Sequence, residues 1–267
     1  MNTDAIVLGY SPQAGLLCPP TSADSARLMA TFLRHWKVLP LRSISDRELS
    51  FSLRYQVYCE ERGFLHAADY PDALESDEFD DYSLHFGAFN APGELVGTAR
   101  LVLPNPHAFP MFQHCTIDPA CARTLGAIPG IVEISRLAIS RRYRRRADDG
   151  DYGLPVPSDS QRPSPVTPDR RDEYSIVVSL FKAMYQAARR NKITHAVSAM
   201  ELSLRRLLKR YHFPLEAIGP ECDYFGPVTP FILDIDRLEH QLTRYCPDLL
   251  HEFRQGLEPE YADSFAM

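Results

Sequence analysis

The stretch IVEISRLAIS (131–140) constrains the fold most. It has the aliphatic and β-branched character of a strand buried on both faces, yet Glu133 and Arg136 stand inside it. An isolated buried charge is too costly to keep, so each must meet a partner or border a cleft. Three residues apart in a regular strand, the two would face opposite sides of the sheet. A β-bulge between them would bring both to one cleft and leave backbone amides unpaired. The stretch therefore leaves two readings, charges on opposite faces of a regular strand or a bulged strand with both charges at one cleft.

The flanking segments say what such a strand sits in. KVLPLRS reads as a short strand and SISDRELSFSLRYQVYCEERGF as a strong helix over 46–62, with Ser45 and Glu48 as a capping box and Gly63 as its stop. LHFGAFN, APGE and LVGTARLVL read as a hairpin. After the central strand come an amphipathic helix over 174–190, a strand THAVSAM, a helix LSLRRLLKRYHF, a strand PFILDID and a mostly helical 236–256. Residues 1–22 read as a loose arm, 22–36 as a helix, 66–82 as acidic loop and 147–172 as a mobile insertion rich in Pro, Asp, Ser and Arg. Antiparallel strands followed by alternating helices and strands predict one mixed α/β domain over 23–240, with a helical extension over 241–267.

Five arginines follow the central strand within six positions: Arg141, Arg142, Arg144, Arg145 and Arg146. The chain as a whole carries a net charge of −6, which argues against general affinity for nucleic acid or membrane and makes this cluster a local feature. A leader and a spanning segment are both missing from the pattern, so the chain reads as cytoplasmic, without stable membrane insertion. Cysteines 18, 59, 115, 121, 222 and 246 lack CxxC or Cys/His ligand spacing and read as reduced thiols without a role. His85, His107, His114 and His195 likewise lack metal-ligand spacing.

Charges recur on several other elements. Arg54 and Tyr58 share a helix face, ESDEFDD (75–81) holds Asp77 and Asp80, and Arg100 lies in the second hairpin strand. Any one of these pairs alone reads as a structural ion pair. Together, RxxxY followed by Phe64, then ExDxxD, GTARLVLP and VEISRLAI resemble the acyl-homoserine-lactone synthases and the long-chain N-acyl amino acid synthases. Most similar are the acyltransferases associated with the PEP-CTERM/exosortase system. The resemblance spans about residues 35–235 and includes GPECDYFGPVTPF.

That resemblance implies a GNAT-type acyltransferase fold with a central, bent, mixed sheet flanked by helices. It places Arg54, Tyr58, Phe64, Asp77, Asp80 and Arg100 near the acceptor, and Glu133 and Arg136 at the catalytic centre. Phe64 stands where the lactone synthases have tryptophan, and arginines stand where a GNAT fold has its glycine-rich phosphate loop. The implied reaction is attack of an amine on an acyl thioester, with Glu133 taking the proton and a bulge amide polarising the carbonyl. The implied partners are an acyl carrier protein, or CoA in its place, docked or gripped by Arg141, Arg142, Arg144 and Arg145, and a small-molecule amine. No tightly bound cofactor or metal is called for. A lactone synthase using S-adenosylmethionine, an acyltransferase with a macromolecular acceptor, and a non-catalytic thioester sensor stand as alternatives.

Overall fold

The computed structural model describes residues 36–143 and 172–262. The arm over 1–22, the helix over 22–35, the arginines 144–146 and the insertion over 147–171 lie outside the described residues. Among the described residues, eight strands form the sheet in the order β1-β2-β3-β4-β5-β8-β6, with β7 pairing on β8. Strand β1 (Lys37–Pro40) pairs with β2 (Ser83–Phe89), β2 with β3 (Leu95–Val102) and β3 with β4 (Ile131–Ile139), all antiparallel. Strand β5 (His195–Met200) runs parallel to β4, and β8 (Pro227–Asp234) runs antiparallel to β5. Short strands β6 (Glu216–Ala217) and β7 (Cys222–Asp223) complete it. The mixed sheet with flanking helices is the architecture that the element order predicts.

Helix α1 (Ile44–Tyr55) crosses one face of the sheet. Its capping box is Ser43 with Asp46, two residues earlier than the predicted Ser45 and Glu48. The chain leaves β1 extended, and Ser43 at φ −77°, ψ 161° is the residue free to turn its hydroxyl back onto the Asp46 amide. Leu53 and Val57 pack on Ala138 of β4, and Ser50 hydrogen-bonds Thr98 of β3 at 2.7 Å. Residues Gln56–Glu61 continue as a π turn, which ends where Gly63 takes φ +63°, the predicted stop.

Helix α4 (Asp172–Arg190) covers the opposite face. Gly97 lets it approach β3: a Cβ there would lie 2.7 Å from the Ile176 side chain and 2.9 Å from that of Ile139. Two short helices that the sequence pattern does not announce, α2 (Pro110–His114) and α3 (Pro119–Leu125), occupy the β3–β4 connection. Each opens at a proline, whose missing N–H and fixed φ suit a first turn. Phe109, Met111 and Leu125 from this connection form a second core cluster with Val102, Val197 and Val228.

Past β5, helix α5 (Leu202–Arg210) buries Leu207 and Leu208. The predicted helical stretch at 236–256 is two helices, α6 (Ile235–Tyr245) and α7 (Pro247–Arg254), divided by Pro247 at the first position of the second. Leu238, Leu242, Leu249 and Phe253 join the same core as α4, so the described part of the C-terminal extension packs with the domain.

Two irregularities in β4 shape the centre of the molecule. Thr98 faces Ala138 and Arg100 faces Ser135, so two steps along β3 match three along β4. The surplus residue falls between Ser135 and Ala138, at Arg136 and Leu137, and Arg136 sits there at φ +50°, a left-handed conformation costly for a residue with a Cβ. The second irregularity lies on the other edge. Strand β4 pairs with β5 only from Ile131 to Glu133, and beyond that point the two strands part.

Candidate active site

The parting of β4 and β5 opens a cavity of about 800 Å³. Its floor is the free edge of β4 from Ile134 to Ile139, its walls come from α4, α5 and β5, and the aromatic rings of Tyr58, Phe64, Tyr224 and Phe225 close one end. Charged side chains on its lining are Arg62, Glu133, Arg136, Glu201, Arg206 and Arg210, a set weighted toward positive charge.

Glu133 lies at the point where the strands separate. It is 2% exposed, and its Oε2 accepts a hydrogen bond from the Met111 amide at 2.9 Å. Burial pushes its pKa up to about 7; the Met111 amide and the charges of Arg100 and Arg136 hold the rise in check. A carboxyl group with that pKa changes protonation state near neutrality, as a proton acceptor for an amine must.

Arg136, carried to the Glu133 side by the bulge, donates from Nε to Glu75 at 3.1 Å and from Nη2 to Asp77 at 2.9 Å. Its guanidinium lies 5.9 Å from the Tyr58 ring centroid, and the Tyr58 hydroxyl donates to the Leu137 carbonyl at 3.0 Å. Tyr58 and Phe64 stack 6.5 Å apart. Tyr224 and Phe225 reach the cavity from the β7–β8 turn, where Phe225 at φ +56° and Gly226 at φ +106° reverse the chain. Tyr224 also stacks on His114 at 4.2 Å.

Behind Arg136 lies an alternating chain of three arginines and three carboxylates. Arg54 donates through Nε to Glu75 and through both Nη atoms to Asp80, at 2.7 and 3.1 Å. Arg100 donates through Nη1 to Asp77 and to Asp80 (2.8 Å) and through Nε to Ser135 at 3.1 Å. Burial on its own would raise Asp80, but the charges of Arg54 and Arg100 outweigh it and hold the group well below the usual carboxylate range. Asp77 is lowered too, with Arg100 and Arg136 overcoming its desolvation. His85 accepts a place beneath this network, 3.1 Å from the Asp80 carbonyl, and burial lowers its pKa.

The structure thus brings Glu133, Arg136, Tyr58 and Phe64 to the cavity wall. Arg54, Asp77, Asp80 and Arg100 stand one layer back, outside the lining. Arg141 and Arg142 are exposed and also outside it, with Arg142 3.8 Å from Glu94. Arg144 and Arg145 lie outside the described residues.

Sequence reasoning left several residues without a role. Glu75, fully buried, links Arg54 to Arg136; the ExDxxD spacing contains it, but only burial reveals its part. Arg206 and Arg210 reach the cavity because they lie four apart on α5, a spacing visible in LSLRRLLKR. Glu201, which its place between a strand and a helix explains as a cap, does occupy the N-cap position of α5 but makes no side-chain capping bond, and it borders the cavity.

Residues 53–149 match the family model of the acetyltransferase (GNAT) domain. No curated protein matches the chain by sequence. Among solved structures, the chain is similar to TofI, in a ternary complex with an inhibitor and MTA (18% identity, TM-score 0.55, covering 85% of this chain and 99% of that one). It is similar also to FeeM, an N-acyl amino acid synthase from uncultured soil microbes (14%, 0.53, 77% and 94%). A third is BjaI, a CoA-dependent acyl-homoserine lactone synthase, with SAM and isopentyl-CoA (21%, 0.51, 79% and 89%). The match to the GNAT acetyltransferase domain covers residues 53–149, and the fold around it is one the chain shares with acyl-homoserine lactone synthases and an N-acyl amino acid synthase.

Proposed function

We propose that this chain transfers a fatty acyl group from a carrier-protein thioester to the amine of an amino acid or amino-acid derivative. The observation that carries this reading is Glu133: a buried carboxyl group titrating near pH 7 at the apex of the cavity between two parting strands. The acceptor amine attacks the thioester carbonyl, the N–C bond forms, the C–S bond breaks and the donor leaves as a thiol. Glu133 takes the proton that the nitrogen sheds on attack, directly or through water, and returns it to the departing sulfur. Backbone N–H groups on the unpaired edge of β4 are free to stabilise the oxyanion.

The cavity sorts its two substrates by chemistry. An extended donor arm that carries amides suits the open strand edge, and the apolar walls from α4 suit an acyl chain. Arg206 and Arg210 on α5, with Arg141 and Arg142 at the exit of β4, suit a single phosphate and an acidic carrier surface. Arg136 and the four aromatic rings supply the acceptor end. Replacing both Arg206 and Arg210 by alanine is expected to raise the KM for acyl carrier protein roughly tenfold and to flatten its salt dependence, with kcat little changed. An unchanged salt profile would move the phosphate site elsewhere.

The rate itself should report Glu133. Plotted against pH, kcat/KM is expected to rise through an apparent pKa near 7, the value to which burial pushes this carboxyl group. The decisive experiment is mass spectrometry of small molecules from cells expressing the chain, beside cells expressing Glu133→Gln. An N-acyl amino acid present in the first and absent in the second is the expected result; an acylated lactone would instead mark S-adenosylmethionine as acceptor. If neither culture makes an acylated small molecule and purified protein releases no thiol from acyl thioesters with an amino-acid panel, the reading fails.

A further inference from the structure

A pair of thiols outside the proposed chemistry stands on the wall behind Glu133. Cys222 of β7 directs its Sγ at the Sγ of Cys115, 3.0 Å away, although 107 positions separate them in the chain. Both are free thiols. Cys115 closes α2, its amide bonded to the Met111 carbonyl at 2.8 Å, and the Met111 amide in turn holds Glu133.

The two backbones that carry the cysteines are already fastened together. The Asp118 amide bonds the Ile218 carbonyl at 2.8 Å. Gly219 passes so close to Thr116 that a Cβ on it would sit 2.1 Å from the Thr116 carbonyl oxygen. Bringing the sulfurs from contact to bonding distance, about 2 Å, therefore asks only for a small adjustment of side chains between segments that cannot drift apart.

We propose that Cys115 and Cys222 are a modification site: a dithiol that a hydroperoxide oxidises to an intramolecular disulfide. Cys222 is half-buried and reacts first, its sulfur attacking the peroxide so that the O–O bond breaks and a sulfenic acid forms with release of the alcohol or water. Cys115 is buried, with its thiol pushed up to about 12 chiefly by desolvation, so it stays protonated and does not meet the peroxide itself; its place in the second step comes from its sulfur, 3.0 Å from that of Cys222. Its sulfur displaces the hydroxyl of the sulfenic acid, the S–S bond forms, and its proton leaves with that hydroxyl as water. Two electrons pass from the two thiols to the peroxide, and a dithiol reductant reverses the change. The product ties the segment that positions Met111 to the β7–β8 hairpin.

The test treats the purified full-length chain with hydrogen peroxide, digests it without reduction and maps the cysteines by mass spectrometry. A peptide joining Cys115 to Cys222, lost on adding dithiothreitol and missing from Cys222→Ser, is expected. Closing a loop of this length should also raise the Tm of the oxidised chain by roughly 10 °C, an increase the Cys222→Ser variant lacks. Two results would overturn the assignment. One is that both residues remain alkylatable thiols at peroxide levels that oxidise the half-exposed Cys121; the other is that Cys222 proceeds to sulfinic acid, or pairs with a different cysteine, while Cys115 stays free.

Discussion

Glu133→Gln should melt at a higher temperature than the parent chain at pH 8 while transferring no acyl group. Burial raises this carboxyl group from an ordinary 4.5 to about 7. Between those two values the folded chain keeps a proton that the unfolded chain releases, so stability falls as pH rises through the window and stays reduced above it. The penalty at pH 8 corresponds to roughly 3 kcal/mol, or a Tm difference of roughly 5–10 °C for a chain of this size. Glutamine keeps the shape and an oxygen to accept from Met111, but carries no charge to desolvate. At pH 4 the advantage should vanish, because the parent Glu133 is then protonated as well. Activity is expected to drop by a factor of about 10²–10⁴ or more, the usual range for loss of a positioned base. Unchanged turnover would remove Glu133 from the chemistry, and a lower melting point at pH 8 would mean that its ionised form has a stabilising partner.

The second large effect is expected from Arg54→Ala, and it should fall on stability. Arg54 is 1% exposed, and its three hydrogen bonds to Glu75 and Asp80 are made inside the protein. Removing it takes one guanidinium partner from each of two buried carboxylates, leaving Glu75 with Arg136 and Asp80 with Arg100, at a cost of about 3–5 kcal/mol. Urea unfolding of the variant should show a markedly lower midpoint, while Arg136→Ala, whose side chain pairs with Glu75 and Asp77 and also lines the cavity, should lower the midpoint and raise the acceptor KM as well. A stable Arg54→Ala with weakened acceptor binding would place that guanidinium against the ligand. The same network sets the acid limit. Asp77 and Asp80 are held below their ordinary pKa, so the stability they contribute is present above about pH 4 and lost as pH falls below it. With Glu133 acting in the opposite sense at higher pH, these groups together favour maximal stability in mildly acid solution.

Much of this was legible because buried charge is rare enough to be informative. Glu133 and Arg136 within an apolar strand required either opposite faces or a bulge, and the register shift with Arg136 at φ +50° is that bulge. The hairpin and the helix–strand–helix–strand order followed from period and turn residues. What stayed hidden depends on long-range packing. Which acids meet which arginines is decided by how the 66–82 loop folds over α1, and no local pattern marks Glu75 as the buried one. The Ser43 cap turns on the exit angle from β1, which propensity does not encode. The helices α2 and α3 are too short for a period to show, and Tyr224 and Phe225 gain their place only once the β7–β8 turn is closed.

The separation between the wall of the cavity and the ion network behind it bears on how such a protein can change through descent. Phe64, Tyr224 and Phe225 come from a loop and a hairpin tip, and each is partly exposed, so replacing them disturbs little beyond the shape of the acceptor end. The arginines and acids one layer deeper are interlocked, and exchanging any one of them takes a partner from two neighbours. Substitutions at the rim can therefore reshape the end of the cavity proposed to take the acceptor, while the ion network behind Arg136 stays as it is.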